Sequence, residues 1–337
     1  MAPEREITEP VDECTSAGAL NRAAVGWSRR PLHTCNLHGR WPRRKRWEYW
    51  GVATRDHLLA VTIADIDYAG LAVVSILDYQ TRALVECARV IPFARGFHLP
   101  ERVRGGSIAI DAMGLRVAIE ECGATTRLRA HFRQRAVGQV RVDVAIERPP
   151  DHESVCVLVP WSDRLFQYTS KHTALRARGQ VSVGARKYAF GPENDAFACL
   201  DFGRGVWPYR AEWNWAAGSG VEHGRVVGLN LGGKWTDGTG VTESGVCIDG
   251  RVHKIGATLD FRYDRRDFMR PWRIEGTNVD LAFTPFTQRA VKMPLGVAST
   301  ELHWTLGHFR GRIETDDGTK LDVGSILGWA EEHRARW

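Results

Sequence analysis

The sequence lacks the short motifs that mark most cofactor and metal sites. Its seven cysteines are scattered and contain no C-x-x-C pair, which argues against a zinc ribbon and for reduced thiols in a reducing compartment. Two pairs of histidines lie five residues apart, His33 with His38 and His303 with His308, but neither pair has carboxylate partners at metal-ligand spacing. No metal is therefore expected. We also predict no cofactor, because the nucleotide-binding motifs are incomplete.

Two glycine-containing segments partly match nucleotide-binding motifs but lack required residues. Residues 228–235 fit a phosphate-binding loop only as far as Lys234, because Trp235 stands where a serine or threonine is required. Gly203 and Gly205 lack both the third glycine of a dinucleotide fingerprint and its βαβ context. The sequence therefore predicts neither a phosphate loop nor a dinucleotide site.

Long apolar stretches are missing as well. No run approaches the roughly eighteen apolar residues of a membrane-spanning helix, and the N-terminal MAPEREITEPVDE has no apolar core of a signal peptide. We expect a cytoplasmic protein without an integral membrane segment. The basic run of residues 39–50, interleaved with Trp41, Trp47 and Trp50, could bind a nucleic-acid backbone. Pairing of its arginines with surface carboxylates, with the aromatic residues of Trp47–Trp50 entering a core, is favoured instead, so no nucleic-acid partner is expected. The net charge of +6 permits a polyanionic partner but does not demand one.

Glycine and tryptophan are abundant, with 34 and 13 copies among 337 residues. Sequences rich in turns and aromatic residues favour antiparallel β-structure over helical bundles. From His57 onward, short apolar segments alternate with polar or glycine turns, and Val140–Ile146 has a clear period of two. Only the last residues, Ile326–Trp337, predict a short closing helix. We therefore expect an all-β fold.

The length of the chain favours two domains, because a single hydrophobic core rarely grows this large. We predict an N-terminal arm over residues 1–25 and two β-domains over residues 26–172 and 173–337. The polar string Gln167–His172 follows the buried strand Val155–Pro160 closely, which places the junction between the domains at roughly residues 165–180.

A central hairpin is predicted in the second half of the chain. The alternation in Glu212–Ala216 puts Trp213 and Trp215 on one strand face. Val226–Leu231 is the expected partner strand, and His223-Gly224 is the expected connecting turn.

Two carboxyl groups near this hairpin are the predicted catalytic residues. Asp201 ends an apolar strand and precedes Phe202, and a carboxyl against apolar walls has a raised pKa that lets it donate a proton near neutrality. The alternative is a structural carboxylate held by the glycine turn that follows or by Arg204. Glu243, at the start of a later strand, is the second candidate.

The remaining candidates are predicted to bind the substrate through rings, amides or positive charge. They are Trp207, Trp213, Trp215, Trp235, Tyr168, Lys171, His172, Arg204 and Asn230. A phenol, an amine and an imidazole within five residues can orient a carbonyl or hydroxyl group. Residues 168–172 could instead form a loop that only packs the two halves together.

Four strings, RRPLHTCNLHGRW, PWSDRLFQYTSKH, CLDFGRGVWPYRAEWNW and GGKWTDGTGVTE, resemble a bacterial, largely actinobacterial family known as domain of unknown function 2804. More remotely, Asp201–Gly205 followed by Trp213-Asn-Trp215 is similar to a motif of carotenoid 1,2-hydratases and tocopherol cyclases. In those families an acidic residue precedes a glycine turn and a W-x-W strand.

This remote resemblance implies two lipocalin-like (calycin-like) antiparallel β-barrels packed in tandem. It also implies cofactor-independent acid catalysis, namely cyclisation, hydration or isomerisation, on a lipophilic, isoprenoid-like or polyketide-like molecule. Asp201 would be the acid, the tryptophans would stabilise a cation, and Glu243 would hold or relay the proton. Ser244 departs from the amide residue common after the glutamate.

Two other functions remain open at this point. One is a lipid or secondary-metabolite binding protein without turnover, because barrels can simply enclose a ligand. The other is a carbohydrate-active sandwich, because tryptophan rings also bind sugars. The oligomeric state does not follow from the sequence.

Overall fold

The computed structural model describes residues 4–295 and 298–337, whose regular secondary structure is almost entirely β-strand. The strands, numbered in chain order, are β1 Val11–Asp12, β2 Gly26–Ser28, β3 His33–Thr34, β4 Arg44–Ala53, β5 His57–Asp65, β6 Ala69–Asp78, β7 Leu84–Pro92, β8 Ile108–Ala112, β9 Leu115–Cys122, β10 Thr125–Gln134, β11 Gly138–Glu147, β12 Val155–Pro160, β13 Phe166–Val183, β14 Arg186–Phe190, β15 Phe197–Val206, β16 Arg210–Glu222, β17 Arg225–Gly233, β18 Gly245–Ile248, β19 Arg251–Lys254, β20 Asp260–Arg262, β21 Trp272–Gly276, β22 Val279–Leu295, β23 Ala298–Glu314 and β24 Lys320–Arg336. Two single 3-10 turns, Arg22–Ala24 and Pro192–Asn194, are the only helical segments in these ranges.

The chain forms two compact units, each assembled from segments distant in sequence. Unit 1 comprises Met1–His33, Glu153–Ala174 and Val206–Trp337, and unit 2 comprises Thr34–His152 and Leu175–Gly205. Strand β13 therefore contributes its first half to unit 1 and its second half to unit 2. The contiguous domains 26–172 and 173–337 remain a prediction.

Unit 2 is a strongly curved sheet in the order β7-β6-β5-β4-β15-β13-β11-β10-β9-β8, with β14 beside β13. Its hairpin pairs are antiparallel, for example β4 with β5 and β10 with β11. Along β11, Val142 and Val144 are buried whereas Arg141 and Asp143 are exposed. This alternation gives the sheet an apolar inner face and a charged outer face.

Unit 1 contains a second antiparallel sheet in the order β19-β18-β17-β16-β24-β23-β22-β21-β20. A buried core fills its inner face, from Val227 and Leu229 of β17 to Trp272 of β21 and Phe309 of β23. Strand β12 adds a separate antiparallel pairing with the first half of β13 and with β2.

The predicted central hairpin is confirmed. Strand β16 pairs with β17 from Asn214↔Gly233 to Glu222↔Arg225. Two residues, His223 and Gly224, make the turn with φ values of 50° and 79°. Positive φ at both central residues is typical of the tight turn whose twist matches that of the strands.

The predicted C-terminal helix is wrong. Residues 326–336 belong to β24, a long strand between β16 and β23. An isolated helix of this length has little stability of its own, whereas two neighbouring strands satisfy the backbone hydrogen bonds of β24 on both sides. Tertiary pairing therefore overrides the local helical tendency of Trp329–Arg334.

The fold class predicted from the sequence is confirmed as all-β with two lipocalin-like, barrel-like antiparallel sheets. In the part of the chain that the structure describes, no helix has the length and apolar character needed to cross a bilayer.

Candidate functional site

The polar string Gln167–His172 forms part of strand β13, so a loop at this position is ruled out. Alternation along the strand separates its side chains into two sets. Gln167, Thr169 and Lys171 lie on one face, and Tyr168, Ser170 and His172 lie on the other. The predicted polar wall is therefore divided between two faces.

Lys171 and Glu243 form a buried ion pair in unit 1. The Nζ of Lys171 lies 3.1 Å from Oε2 of Glu243, and their side chains are only 5% and 1% exposed. The other carboxylate oxygen, Oε1, accepts a hydrogen bond of 2.6 Å from Nε1 of Trp235. Two charges this deeply buried require mutual compensation and hydrogen bonding to remain ionised.

The β16–β17 hairpin holds this pair in place. Nε1 of Trp215 donates to Oδ1 of Asn230 over 2.8 Å. The side-chain amide of Asn230 in turn donates to the backbone carbonyl of Glu243 over 2.5 Å. Lys171 lies over the ring of Trp215, with Nζ 4.3 Å from its centroid. Four predicted site residues thus join Glu243 in one network of contacts, although the sequence did not indicate their pairing.

Gly232 makes room for the carboxylate. A Cβ atom at this position would overlap the side chain of Glu243, its nearest neighbour. Strand β17 carries a second such glycine, Gly228, whose Cβ would overlap Thr173 of β13. The glycines that superficially resembled a phosphate loop therefore serve close packing, Gly232 against Glu243 and Gly228 against Thr173.

Replacing Gly232 with alanine is expected to destabilise the protein by about 1–3 kcal/mol, the usual cost of overpacking. The added methyl group must displace Glu243 from its hydrogen bond with Trp235. Gly220→Ala on the same hairpin is the matched control, because its nearest neighbour would be 3.8 Å from the new Cβ. Urea denaturation of both variants measures the difference, and equal stabilities would contradict the packing described.

Five tryptophans form a cluster beside this network, which we call the tryptophan cluster: Trp161, Trp207, Trp213, Trp235 and Trp337. The ring centroids of Trp207 and Trp235 are 5.7 Å apart and those of Trp207 and Trp213 are 5.5 Å apart. Nε1 of Trp207 donates to Oε1 of Gln167 over 2.6 Å. Trp161, Trp337 and Gln167 are not among the residues predicted from the sequence, because only the fold brings them to this cluster.

The opposite face of β13 carries a chain of small polar groups. The Oγ of Ser170 lies 2.9 Å from Nε2 of His172 and 3.1 Å from the Sγ of Cys156. Cys156 also contacts Ser154 over 3.2 Å. Burial raises the pKa of the Cys156 thiol, so this sulfur stays protonated and weakly nucleophilic. His172 and Tyr168 therefore belong to a different environment from Lys171.

Tyr168 is stacked on His33, with ring centroids 4.5 Å apart. His33 is buried, and its Nε2 lies 2.8 Å from the carbonyl oxygen of Ala24. Burial lowers the pKa of His33 to about 4, below the value of about 6.5 expected in the unfolded chain. The imidazole is therefore neutral at pH 7.

Stability is expected to fall as the pH drops from about 6.5 towards 4, because in this window the unfolded chain binds a proton at His33 and the folded chain does not. This single histidine accounts for up to about 3 kcal/mol at the acidic end. Urea melts at pH 7.5 and pH 4.5 should show a smaller pH effect in His33→Gln than in the wild type. An equal pH effect in both proteins would contradict the neutral buried histidine.

Asp201 lies in unit 2, on strand β15. It is 9% exposed, and its Oδ2 accepts a hydrogen bond of 3.1 Å from Nε1 of Trp47. Arg204 is on the opposite face of the same strand, so the ion pair considered from the sequence does not form. The assignment of Asp201 as the acid stays a prediction.

Arg204 is fully buried and surrounded by protein acceptors. Its guanidinium donates to the carbonyl oxygens of Pro100, Trp47 and Gly203 at 2.6–3.1 Å. It also lies 3.3 Å from Oε1 of Glu48. Burial raises the pKa of Glu48, and the charge of Arg204 opposes that rise. This bonding supports an architectural role; its predicted role in substrate binding stays a prediction.

Within residues 4–295 and 298–337, no group of three or more histidine, cysteine or acidic side chains is arranged to hold a metal ion. Two open surface concavities, of about 710 and 540 Å³, lie against strands β8–β11 and at the ends of β16, β23 and β24. The predicted site residues line neither of them. The Lys171–Glu243 pair and the tryptophan cluster are thus the described arrangement best suited to chemistry.

The fold and this arrangement define an all-β protein with two lipocalin-like sheets and a buried acid–base pair beside indole rings. The chain belongs to the family Domain of unknown function (DUF2804), whose profile matches residues 4–337. No curated protein matches the sequence significantly.

Solved structures with similar folds include an AttH candidate from Nitrosomonas europaea. It aligns with a TM-score of 0.52 at 10% identity, over 86% of this chain and 92% of the other. Kievitone hydratase from Nectria haematococca has a TM-score of 0.47 at 9% identity, over 87% and 88%. The protein CghA has a TM-score of 0.44 at 11% identity, over 88% of both chains. At 10% identity the likeness to the Nitrosomonas europaea structure concerns the fold alone.

Proposed function

We propose that this protein catalyses a cofactor-independent acid–base reaction on a lipophilic small molecule, either a cyclisation, a hydration or an isomerisation. The observation that supports this proposal is the buried Lys171–Glu243 pair, whose carboxylate is bonded to one indole and whose ammonium lies over another. An acid and a base held against apolar walls suit a substrate with one polar group on a hydrophobic skeleton.

In this proposal the two charged groups act on a substrate carbonyl. Glu243 accepts a proton from the carbon next to the carbonyl while the ammonium of Lys171 donates one to its oxygen, which gives an enol and leaves both residues neutral. Return of the proton from Glu243 to another carbon of the enol, and of the enol proton to Lys171, gives an isomer. In a cyclisation the enol carbon instead attacks a second carbonyl carbon of the same molecule, Glu243 protonates the oxygen of that carbonyl, and the enol proton returns to Lys171. The tryptophan cluster provides the apolar surface that would bind the hydrophobic skeleton of the substrate.

Asp201 is the second proposed acid. Its hydrogen bond from Trp47 and its low exposure give it an aromatic setting of the kind the sequence predicted. Because it belongs to unit 2, we treat its role as a separate proposal with its own test, described in the Discussion.

A binding protein without turnover is the alternative, and one observation favours it. Lys171 and Glu243 already compensate each other's charge and are almost completely enclosed, as in a structural ion pair. A carrier would bind its ligand through the tryptophan cluster, and its affinity would not depend on the protonation states of Lys171 and Glu243.

Mass spectrometry of the small molecule that co-purifies with the protein is the first experiment. The purified protein is then incubated with that molecule, and products are followed by NMR in the wild type and in Glu243→Gln. The control is Glu153→Gln, which removes another buried carboxylate of unit 1, paired with Arg251 at 3.0 Å. Turnover lost in the first variant and kept in the second supports catalysis, whereas binding without any product supports a carrier.

A further inference from the structure

One end of the unit 2 sheet, which we call the rim, brings together three loop segments: residues 35–46, 65–69 and 92–102. Strand β4 begins there at Arg44, the β5–β6 turn lies there because Arg46 pairs with Asp65, and β7 ends there at Pro92 opposite Ala69. Neighbouring strands in a sheet are about 4.8 Å apart. Three strand intervals therefore separate the first loop from the last by roughly 15 Å.

Internal bonds fix these loops with respect to each other. The buried amine of Lys45 donates to the carbonyl oxygens of Pro42 and Ile66, at 3.0 and 3.1 Å. Its Nζ also lies 4.7 Å from the ring centroid of Tyr68. The backbone N–H of Phe93 donates to the carbonyl of Tyr68 over 2.9 Å. The rim is thus held by bonds that cross from each loop to the next.

Large apolar side chains project from this rim into solvent. Trp41 and Phe93, on the two outer loops, are each 61% exposed, and Val90 near the end of β7 is 56% exposed. These side chains share one end of the sheet on loops roughly 15 Å apart, and several large apolar side chains exposed on one face mark an interaction site more often than single ones do. This rim carries three of the most exposed large apolar side chains of the described chain.

The same rim carries a surplus of positive charge. Residues 35–46, 65–69 and 92–102 contain seven lysines and arginines against three acidic residues. The two aspartates are already paired, Asp67 with Arg44 at 2.8 Å and Asp65 with Arg46 at 3.2 Å. Three further arginines lie on the outer loops: Arg40, Arg43 and Arg95. The excess of basic over acidic residues gives the rim a net positive charge, which favours an anionic partner.

We propose that this rim docks on the surface of an anionic phospholipid bilayer. Trp41 and Phe93 would enter the boundary between headgroups and acyl chains, where aromatic rings are favoured. The arginines of the loops would lie at the level of the phosphates. The inference goes beyond the proposed reaction and is independent of it.

Vesicle sedimentation of the full chain tests the proposal. We expect binding to vesicles of phosphatidylcholine with phosphatidylglycerol and weak binding to phosphatidylcholine alone. The variant with Arg40, Arg43 and Arg95 changed to glutamine should bind the anionic vesicles about a hundredfold more weakly, because each basic side chain near such a surface contributes about fivefold. Trp41→Ala with Phe93→Ala should lose tenfold or more, on the order expected for interfacial apolar area.

Matched controls lie at the other end of the same strand. Leu84 is 41% exposed at the start of β7, and Arg82 is exposed in the turn before it. Leu84→Ala and Arg82→Gln should leave vesicle binding unchanged. Vesicles with brominated acyl chains should quench the fluorescence of the wild type more than that of Trp41→Phe.

Several results would overturn the proposal. Equal binding to neutral and anionic vesicles would remove the role of the arginines, and equal losses in the Leu84 and Arg82 controls would remove the role of the rim. A dimer that Trp41→Ala dissociates, with no vesicle binding in the wild type, would show that a second copy of the chain covers the rings. None of these measurements depends on turnover.

Discussion

Glu243→Gln is expected to reduce the free energy of unfolding by about 3–5 kcal/mol and to abolish turnover. Removing one partner of a buried ion pair leaves the other charge uncompensated in a medium of low dielectric constant. The charge left behind is the ammonium of Lys171, 5% exposed and in contact with Trp215. Urea denaturation of both proteins at pH 7 gives the stability difference.

A second variant separates architecture from chemistry. Lys171→Met combined with Glu243→Gln removes both charges, and apolar replacement of a buried pair is often close to neutral in stability. We expect this double variant to regain most of the lost stability while remaining inactive. If Glu243→Gln alone is as stable as the wild type, the carboxylate of Glu243 is not needed to compensate the buried ammonium of Lys171.

Asp201→Asn is expected to lower turnover by about 10²–10⁴, the usual contribution of a general acid, with little change in melting temperature. The structure gives a reason for the small effect on stability. Asp201 accepts a hydrogen bond from the indole of Trp47, and an asparagine side chain has an oxygen that can accept the same bond. Arg204, the cation nearby in sequence, is paired with Glu48 instead.

The competing role for Asp201 predicts a different pattern. A structural carboxylate loses charge-assisted hydrogen bonds in the asparagine variant, which costs about 1–3 kcal/mol. A fall of several degrees in melting temperature with ligand binding retained would assign Asp201 to the architecture. Trp47→Phe is the control, since it removes the indole donor and keeps an aromatic ring beside the carboxyl.

Local pattern was sufficient for much of the fold. The alternation in Glu212–Ala216 and the sequence His223-Gly224 specified a hairpin that the structure confirms. The Asp249-Gly250 turn between β18 and β19 obeys the same rule, with positive φ at both residues. In these segments the side-chain period and the turn conformation depend on residues close in sequence, which is why single-sequence reasoning succeeds.

Local pattern failed where distant strands decide the conformation. Ile326–Trp337 has helical character by itself, yet β16 and β23 pair with it along its length. Residues 168–172 are polar enough to suggest a loop, yet they belong to a buried strand that pairs with β12. In both cases long-range hydrogen bonding outweighs intrinsic propensity.

The sequence by itself determined the all-β class, the central hairpin and most of the residue types at the candidate site. Only the tertiary structure decided which of those residues meet: Lys171 with Glu243, Trp215 with Asn230, and Trp47 with Asp201. It also separated Asp201 and Glu243 into different compact units. The physical reason is that strand period and turn chemistry are local properties. The pairing of buried charges instead depends on strands far apart in sequence, where burial makes compensation necessary.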